Sequence, residues 1–487
     1  MLMYRNQNRG LFAVLLLTLG LGIVRAQMTL PTSTPQFTSP TTLEIPPVPA
    51  TPLSIDDAVR FALRYNPGTL RAEDDVLIAL AQVRSAASGR QPSVGITANA
   101  SWLPNPPAPF VIPGSNGSKG TSITTTPALS SAGQLTISQP IWPSNRWRAP
   151  IAAAQANVGV TQETYRRTLQ QTAFITRQAF YQLATAQEMV QVAKDAVDVA
   201  TTQVGLAQKN LDAGIAAKID VVQAQANQAD AQVNLVRAQN NQDIARATLD
   251  VQLGLPAGTN VAIVAPNPND LPNAPENQDA MVTRALQLRP ELQQINFRRQ
   301  QAHANIDLIR LQQSPIVSMQ AAYNKTFVGG SLFGSDGWTI SAAGSINLYN
   351  GGKMRADLDA ARLQLQQLDA VARQTELGIT FDIRQAWVNL VTALEQYRDA
   401  QHQYDAADEA LRIARIRYEN GMGIQLEVDQ AQLRRNTAQT ALAQARLQAK
   451  VAVAQMDYAV GAPVPGEQPV PGATAPKPTM SLSVPTH

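Results

Sequence analysis

The chain contains no cysteine in 487 residues, which excludes a disulfide framework, a thiolate metal site and a lipidated N-terminal cysteine. Aromatic residues make up only 5%, too few bulky rings to fill large globular cores. Histidine is scarce as well. His303, His402 and His487 show no metal-ligand spacing and the methionines do not cluster, so soft-ligand metal handling gets no support. No glycine-rich phosphate loop is followed by lysine, and no acid/base or nucleophile cluster converges. Neither a cofactor nor catalysis is expected.

Charge of one sign is also missing. Arg5 and Arg9 precede the apolar run Leu11 to Val24, and Val24-Arg25-Ala26 offers small residues for cleavage, the layout of a secretory signal over residues 1–26. An uncleaved anchor would need a longer apolar run. Removing the leader takes away three arginines, so Lys+Arg falls from 39 to 36 and equals Asp+Glu at 36. A neutral mature chain has no surplus of cations to replace phosphate counterions, which argues against a nucleic-acid partner. Nothing after Ala26 approaches ~18 consecutive apolar residues, so contact with a bilayer would have to use strands.

What the sequence does have is an internal repeat. "RQAFYQL" at 177–183 matches "RQAWVNL" at 384–390, and "GLP" at 254–256 matches "GAP" at 461–463, both 207 positions apart. Upstream of Trp142 and Tyr349 the offset is 223, aligning "ALRYNP" at 62–67 with "ALQLRP" at 285–290. The 16-residue difference falls in "LPNPPAPFVIPGSNGSKGTSITTTP", whose composition predicts an exposed loop. Each copy reads as helix, strand, loop, strand, long helix, tight turn, helix. The boundaries are 54–256 for the first copy, 257–278 for a linker and 279–463 for the second. Residues 27–53 and 464–487 are Pro-rich flanks.

Strands are expected at 93–102, 133–142, 315–324 and 337–348. In the last of these, Trp338, Ile340, Ala342, Gly344, Ile346 and Leu348 alternate with small polar residues, a period-2 pattern with one apolar and one polar face. The helices follow another rule. From Ala179, apolar residues recur at spacings of 4 and 3 through Leu183, Ala186, Val190 and Ala193 to Leu211, and again from Ala386 to Tyr418. That is a coiled-coil seam. Alanines every seven residues (Ala224 to Ala245, Ala431 to Ala452) continue it after each turn. A helix from about Arg146 to Gly214 would be on the order of 100 Å long.

The helices use their apolar residues on seams with other helices, so the apolar strand faces need lipid. A barrel with apolar side chains out and polar ones toward a wet lumen fits. Four strands cannot close alone, since the smallest such barrels have about eight. Trp102 and Trp338 are expected at the outer membrane interface, and Trp142 and Tyr349 at the inner one.

The two-copy plan, "LSIDDAVRFALRYNP" at 53–67, "QPIW" at 139–142 with "NLYNGGKMRA" at 347–356, and "RYENGMG" at 417–423 resemble the outer-membrane efflux protein family, the TolC-like proteins. The resemblance covers roughly residues 53–463. It implies a mainly α protein with a β membrane domain: a homotrimer with four strands per chain in a shared 12-stranded β-barrel, continued by a coiled-coil α-helical barrel across the periplasm. It implies a passive exit duct for small molecules or proteins, in a tripartite efflux or type I secretion system. Its partners would be outer-membrane lipid, a periplasmic adaptor and an inner-membrane transporter.

The resemblance also implies a gate at the turns after the long helices. Asp220 and Glu427 stand six residues after the turn glycines Gly214 and Gly421, and Tyr418 three before the second. The family prototype's basic residue two after that glycine is Gly423 here, and its second acid falls at Gln430, beside Asp429. A carboxylate in the first turn of a helix is also stabilised by the macrodipole whatever the protein does. A non-conducting periplasm-spanning scaffold or adhesin would explain the heptads but not four amphipathic strands with aromatics at the rims.

Overall fold

The computed structural model describes residues 46–49, 51–102, 110–112, 121–123, 129–143, 145–214, 217–267, 271, 277–328, 336–420 and 422–465. The expected leader and Gly421, with most of the two flanks, lie outside these residues. All described residues belong to one unit, Pro46–His487.

The first copy comprises α1 (Ile55–Tyr65), α2 (Pro67–Ser88), β1 (Ser93–Trp102), β2 (Phe110–Ile112), β3 (Thr121–Ile123), β4 (Leu129–Trp142), α3 (Arg148–Asp212) and α4 (Lys218–Gln252). The second comprises α5 (Gln278–Leu288), α6 (Pro290–Arg310), β5 (Ile316–Val328), β6 (Asp336–Ser345), α7 (Lys353–Glu419) and α8 (Gln425–Val460). At ~1.5 Å per residue, the 65 residues of α3 and 67 of α7 each run about 100 Å. Besides longer strands at β4 and β5 and a break in the first helix of each copy, two features differ from the sequence reading. The stretch read as a loop carries the short β2–β3 hairpin, built from the β-branched segments "FVI" and "TSI". The strand expected to reach Leu348 stops at Ser345.

Each copy begins with a helix broken in two. Asn66 ends α1 and caps α2, its side chain accepting from the Gly68 amide at 2.8 Å. Pro67 and Pro290 open α2 and α6, where a missing amide costs nothing. The break is also where the last helix of the copy docks. Asn66 Nδ2 donates to the Gln252 carbonyl at 2.8 Å, and Arg289 Nε donates to the Ala459 carbonyl at 2.6 Å. These are equivalent positions in the two copies, so one joint is built twice with different side chains. Gly254 and Gly461 close it with φ of +80° and +76°. A Cβ at Gly254 would press on the Tyr65 carbonyl, and one at Gly461 on Arg289.

The core lies along the helical hairpins α3–α4 and α7–α8. Phe180 and Leu183 pack with Leu249, Leu253, Ala58 and Ala62, and Ile383 and Leu390 with Ala449, Ala452 and Met456. Alanine on one side of each seam lets the axes approach while one large partner fills the gap. The copies meet where Arg167 pairs with Glu291 at 3.0 Å and lies 3.8 Å above the Tyr458 ring. The flanks pack here too: Leu53 forms a parallel bridge with Ile263, and Val464 packs with Val59 and Ala173.

The main sheet is antiparallel, in the order β1-β4-β5-β6. The β4–β5 pair joins the two copies, and β1 and β6 are the free edges.

Candidate functional site

The strand register decides the faces of the sheet. Ile96 pairs with Leu135, Leu135 with Tyr323 and Tyr323 with Trp338; Val94, Ile137, Ala321 and Ile340 form the next row. The apolar residues of both copies thus share one face. In the single chain that face is bare: Ile96 is 78% exposed and Ile340 75%. The opposite face is lined by rows such as Thr97, Gln134, Asn324 and Gly337, with Gln134 Nε2 donating to Asn324 Oδ1 at 2.7 Å. Among the described residues it carries no charged side chain; Lys325 and Asp336 lie on the apolar side.

The rim aromatics are placed unevenly. Trp102 pairs with Leu129 at one end of the sheet, while Trp338 lies against Tyr323 with ring centroids 5.2 Å apart. Trp338 therefore shares its row with Ile96, six residues from Trp102, and the register does not put the two tryptophans level. Trp142 would fall on the polar face by simple alternation. A register shift between Pro140 and Trp142 sets it opposite Val317, on the apolar side. One extra residue turns its side chain over. Tyr349 lies past the end of β6 and is exposed.

At the far ends of the long helices, each hairpin makes its turn differently. In the first, Gly214 has φ +73° and its amide donates to the Leu211 carbonyl at 2.9 Å. Asp220 is the third residue of α4, and its carboxylate accepts from the Ala217 amide at 3.0 Å. It satisfies an orphan donor at a helix start. In the second turn, the Met422 amide donates to the Arg417 carbonyl at 2.8 Å. Gly423 keeps an ordinary negative-φ backbone but packs tightly: a Cβ there would lie 3.2 Å from Glu427 Oε2 and 3.3 Å from the Tyr418 amide. Position 423 carries no cation; the guanidinium of Arg417 lies 3.8 Å from Glu427. Tyr418 is half-buried beside it.

Near the tip, Asp429 links the two hairpins, as the Arg446–Glu188 pair at 3.0 Å and the Arg177–Asp457 pair at 3.4 Å do elsewhere along them. Asp429 Oδ1 accepts from Gln203 Nε2 of α3 at 3.0 Å. Further polar ties lie behind it within the second hairpin: Arg415 to Gln432 at 2.8 Å, and Arg435 to Asp408 at 3.2 Å and to the Tyr404 hydroxyl at 3.3 Å. Asp220, by contrast, bonds within its own turn among the described residues.

Comparison with known proteins places this architecture. The sequence pattern described as "Outer membrane efflux protein" matches residues 60–255 and 281–462, one stretch in each copy. The chain belongs to the outer membrane efflux protein family. Protein CyaE of Bordetella pertussis is 24% identical over 302 residues, 61% of this chain and 64% of CyaE. The probable efflux pump outer membrane protein TtgC of Pseudomonas putida is 24% identical over 275 residues, covering 55% and 56% of the two chains. The matches thus span less than two thirds of these relatives. The Campylobacter jejuni CmeC outer membrane channel shares the fold with a TM-score of 0.66, at 17% identity over 84% of this chain and 85% of that one. Members of this family are efflux channels rather than enzymes, and the mainly α architecture with a small sheet is theirs. Among the described residues, no helix is long and apolar enough to cross a membrane.

Proposed function

We propose that three copies of this chain close one 12-stranded β-barrel in the outer membrane and one α-helical barrel beneath it in the periplasm. The resulting duct is a passive exit, gated at the helical tip. The carrying observation is the two-faced sheet with two free edges. A bare apolar face needs lipid, and free edges need strands; edge-to-edge closure of several chains meets both requirements. The helices support the same assembly. On α4, Val222, Val233, Val236 and Ile244 are exposed, as are Leu377, Phe381 and Val388 on α7. Unpartnered stripes of this kind mark contacts with other protein surfaces.

An open end in the periplasm requires a partner that hands over cargo. A periplasmic adaptor and an inner-membrane transporter fill that role, in an efflux pump or a type I secretion system. The likeness to an antibiotic and a toluene efflux pump outer membrane protein supports small molecules as cargo. Planar-bilayer recording of the detergent-extracted protein tests this reading. Discrete conductance steps are expected. Inserted protein that never conducts would favour the non-conducting scaffold.

A further inference from the structure

The junction between sheet and long helices is basic. Its four connecting segments, 88–92, 143–150, 310–315 and 346–356, hold Arg90, Arg146, Arg148, Arg310, Lys353 and Arg355 and no acid. The repeat preserves the arrangement: Trp142 is followed by Arg146 and Arg148, and Tyr349, 207 positions later, by Lys353 and Arg355. Each copy presents an aromatic, then two cations at fixed spacing. Trp147, between Arg146 and Arg148 in sequence, lies over Gly89, where a Cβ would strike its ring, so the segment that carries Arg90 meets the one that carries Arg146 and Arg148.

Helix electrostatics make the pattern unusual. Five helices, α1, α4, α5, α6 and α8, carry an acid in the first turn. The two that start at the junction, α3 and α7, carry none and open with Arg148 and Lys353. Cations at the positive end of a helix macrodipole oppose local stability, a cost that a bound anion would offset. Arg310 and Lys353 have intrachain partners, Asp307 at 3.4 Å and Asp357 at 2.5 Å. Arg90, Arg148 and Arg355 are exposed and have no ion-pair partner among the described residues.

We propose that this junction is a collar for the phosphate headgroups of anionic phospholipids in the inner leaflet. It rests on the membrane placement of the sheet argued above. Trp142 and Tyr349, both exposed, would sit at the hydrocarbon boundary, with the cations four and six residues further along the chain in the headgroup layer. Juxtamembrane cations attract anionic lipid in this way, and the attraction is screened by salt.

The test uses the full chain reconstituted in phosphatidylethanolamine vesicles with about one part in five phosphatidylglycerol, re-extracted, and analysed for retained lipid. Retained phosphatidylglycerol should exceed its bulk share by about threefold or more. The combined variant Arg146→Gln, Arg148→Gln, Lys353→Gln and Arg355→Gln should retain lipid at the bulk ratio while inserting normally, and Lys325→Gln, remote from the collar, should keep the enrichment. Bulk-ratio lipid on the wild type, or enrichment that survives in the fourfold variant, overturns the proposal. So does displacement by inorganic phosphate beyond that by chloride at equal ionic strength, which would mark a free-anion site. Failure of the wild type to enter vesicles would instead overturn the duct reading itself.

Discussion

Gln203 of α3 donates a 3.0 Å hydrogen bond to Asp429 of α8, joining side chains from the two repeats near the helical tip. A hydrogen bond to a carboxylate contributes about 1.5 to 3 kcal/mol when desolvated and about 1 or less when half exposed, as here. If the tip is the gate, this bond holds the closed state. Gln203→Leu and Asp429→Ala should each raise the mean single-channel conductance or the open fraction by about twofold to fivefold. Unchanged conductance in both would remove Asp429 from the gate.

Asp220 separates a capping role from a charge role. Asp220→Ala removes the bond to the Ala217 amide and should cost about 1 kcal/mol of local helix stability, seen as faster amide exchange in the first turn of α4. Asp220→Asn keeps an acceptor and loses only the charge. Should Asp220 and Glu427 form a ring at the entrance, Asp220→Asn combined with Glu427→Gln weakens block by multivalent cations by about tenfold or more. Equal block in that variant and the wild type would leave these acids as caps.

The two faces of the sheet predict opposite responses at adjacent residues. Ile340→Arg places a cation on the apolar face and should impair assembly by about 2 to 4 kcal/mol near the membrane midplane. Thr339→Arg puts the same side chain on the uncharged polar face. It should assemble and shift the reversal potential toward anions. Normal assembly of Ile340→Arg, assayed by membrane insertion, would contradict the lipid-facing assignment.

The twin joints at the helix breaks differ in how much room they leave. Both Gly254 and Gly461 have positive φ, so alanine strains either by about 1 kcal/mol or more. At Gly254 the added Cβ also presses on the Tyr65 carbonyl, which cannot swing away, whereas at Gly461 the nearest atom is Arg289 Cγ at 3.2 Å. Thermal unfolding should show Gly254→Ala as the more destabilised. The reverse order would mean the first joint yields more easily than its contacts imply.

The parts of this architecture legible in the sequence are those written in a period. Ala179, Leu183 and Val190 recur at seam spacing and are buried, and Ile340 and Trp338 alternate and lie on one face. Features created by an exception to a period were not legible. The shift at Pro140 turns Trp142 over; proline, which cannot donate to the ladder, marks such an irregularity but not which face the next residues take. The Gln203–Asp429 bond joins residues 226 positions apart and depends on how two hairpins lie together. The lack of a cation at position 423 was visible; the nearness of Arg417 to Glu427 was not, because the helix end brings it back there.

The native mass of the detergent-extracted mature protein tests the proposed assembly most directly. Three copies of the four-stranded chain are expected, enough to close the barrel and cover both edges of every sheet. A stable monomer, with β1 and β6 still unpaired and Ile96 and Ile340 still bare, would contradict the shared barrel.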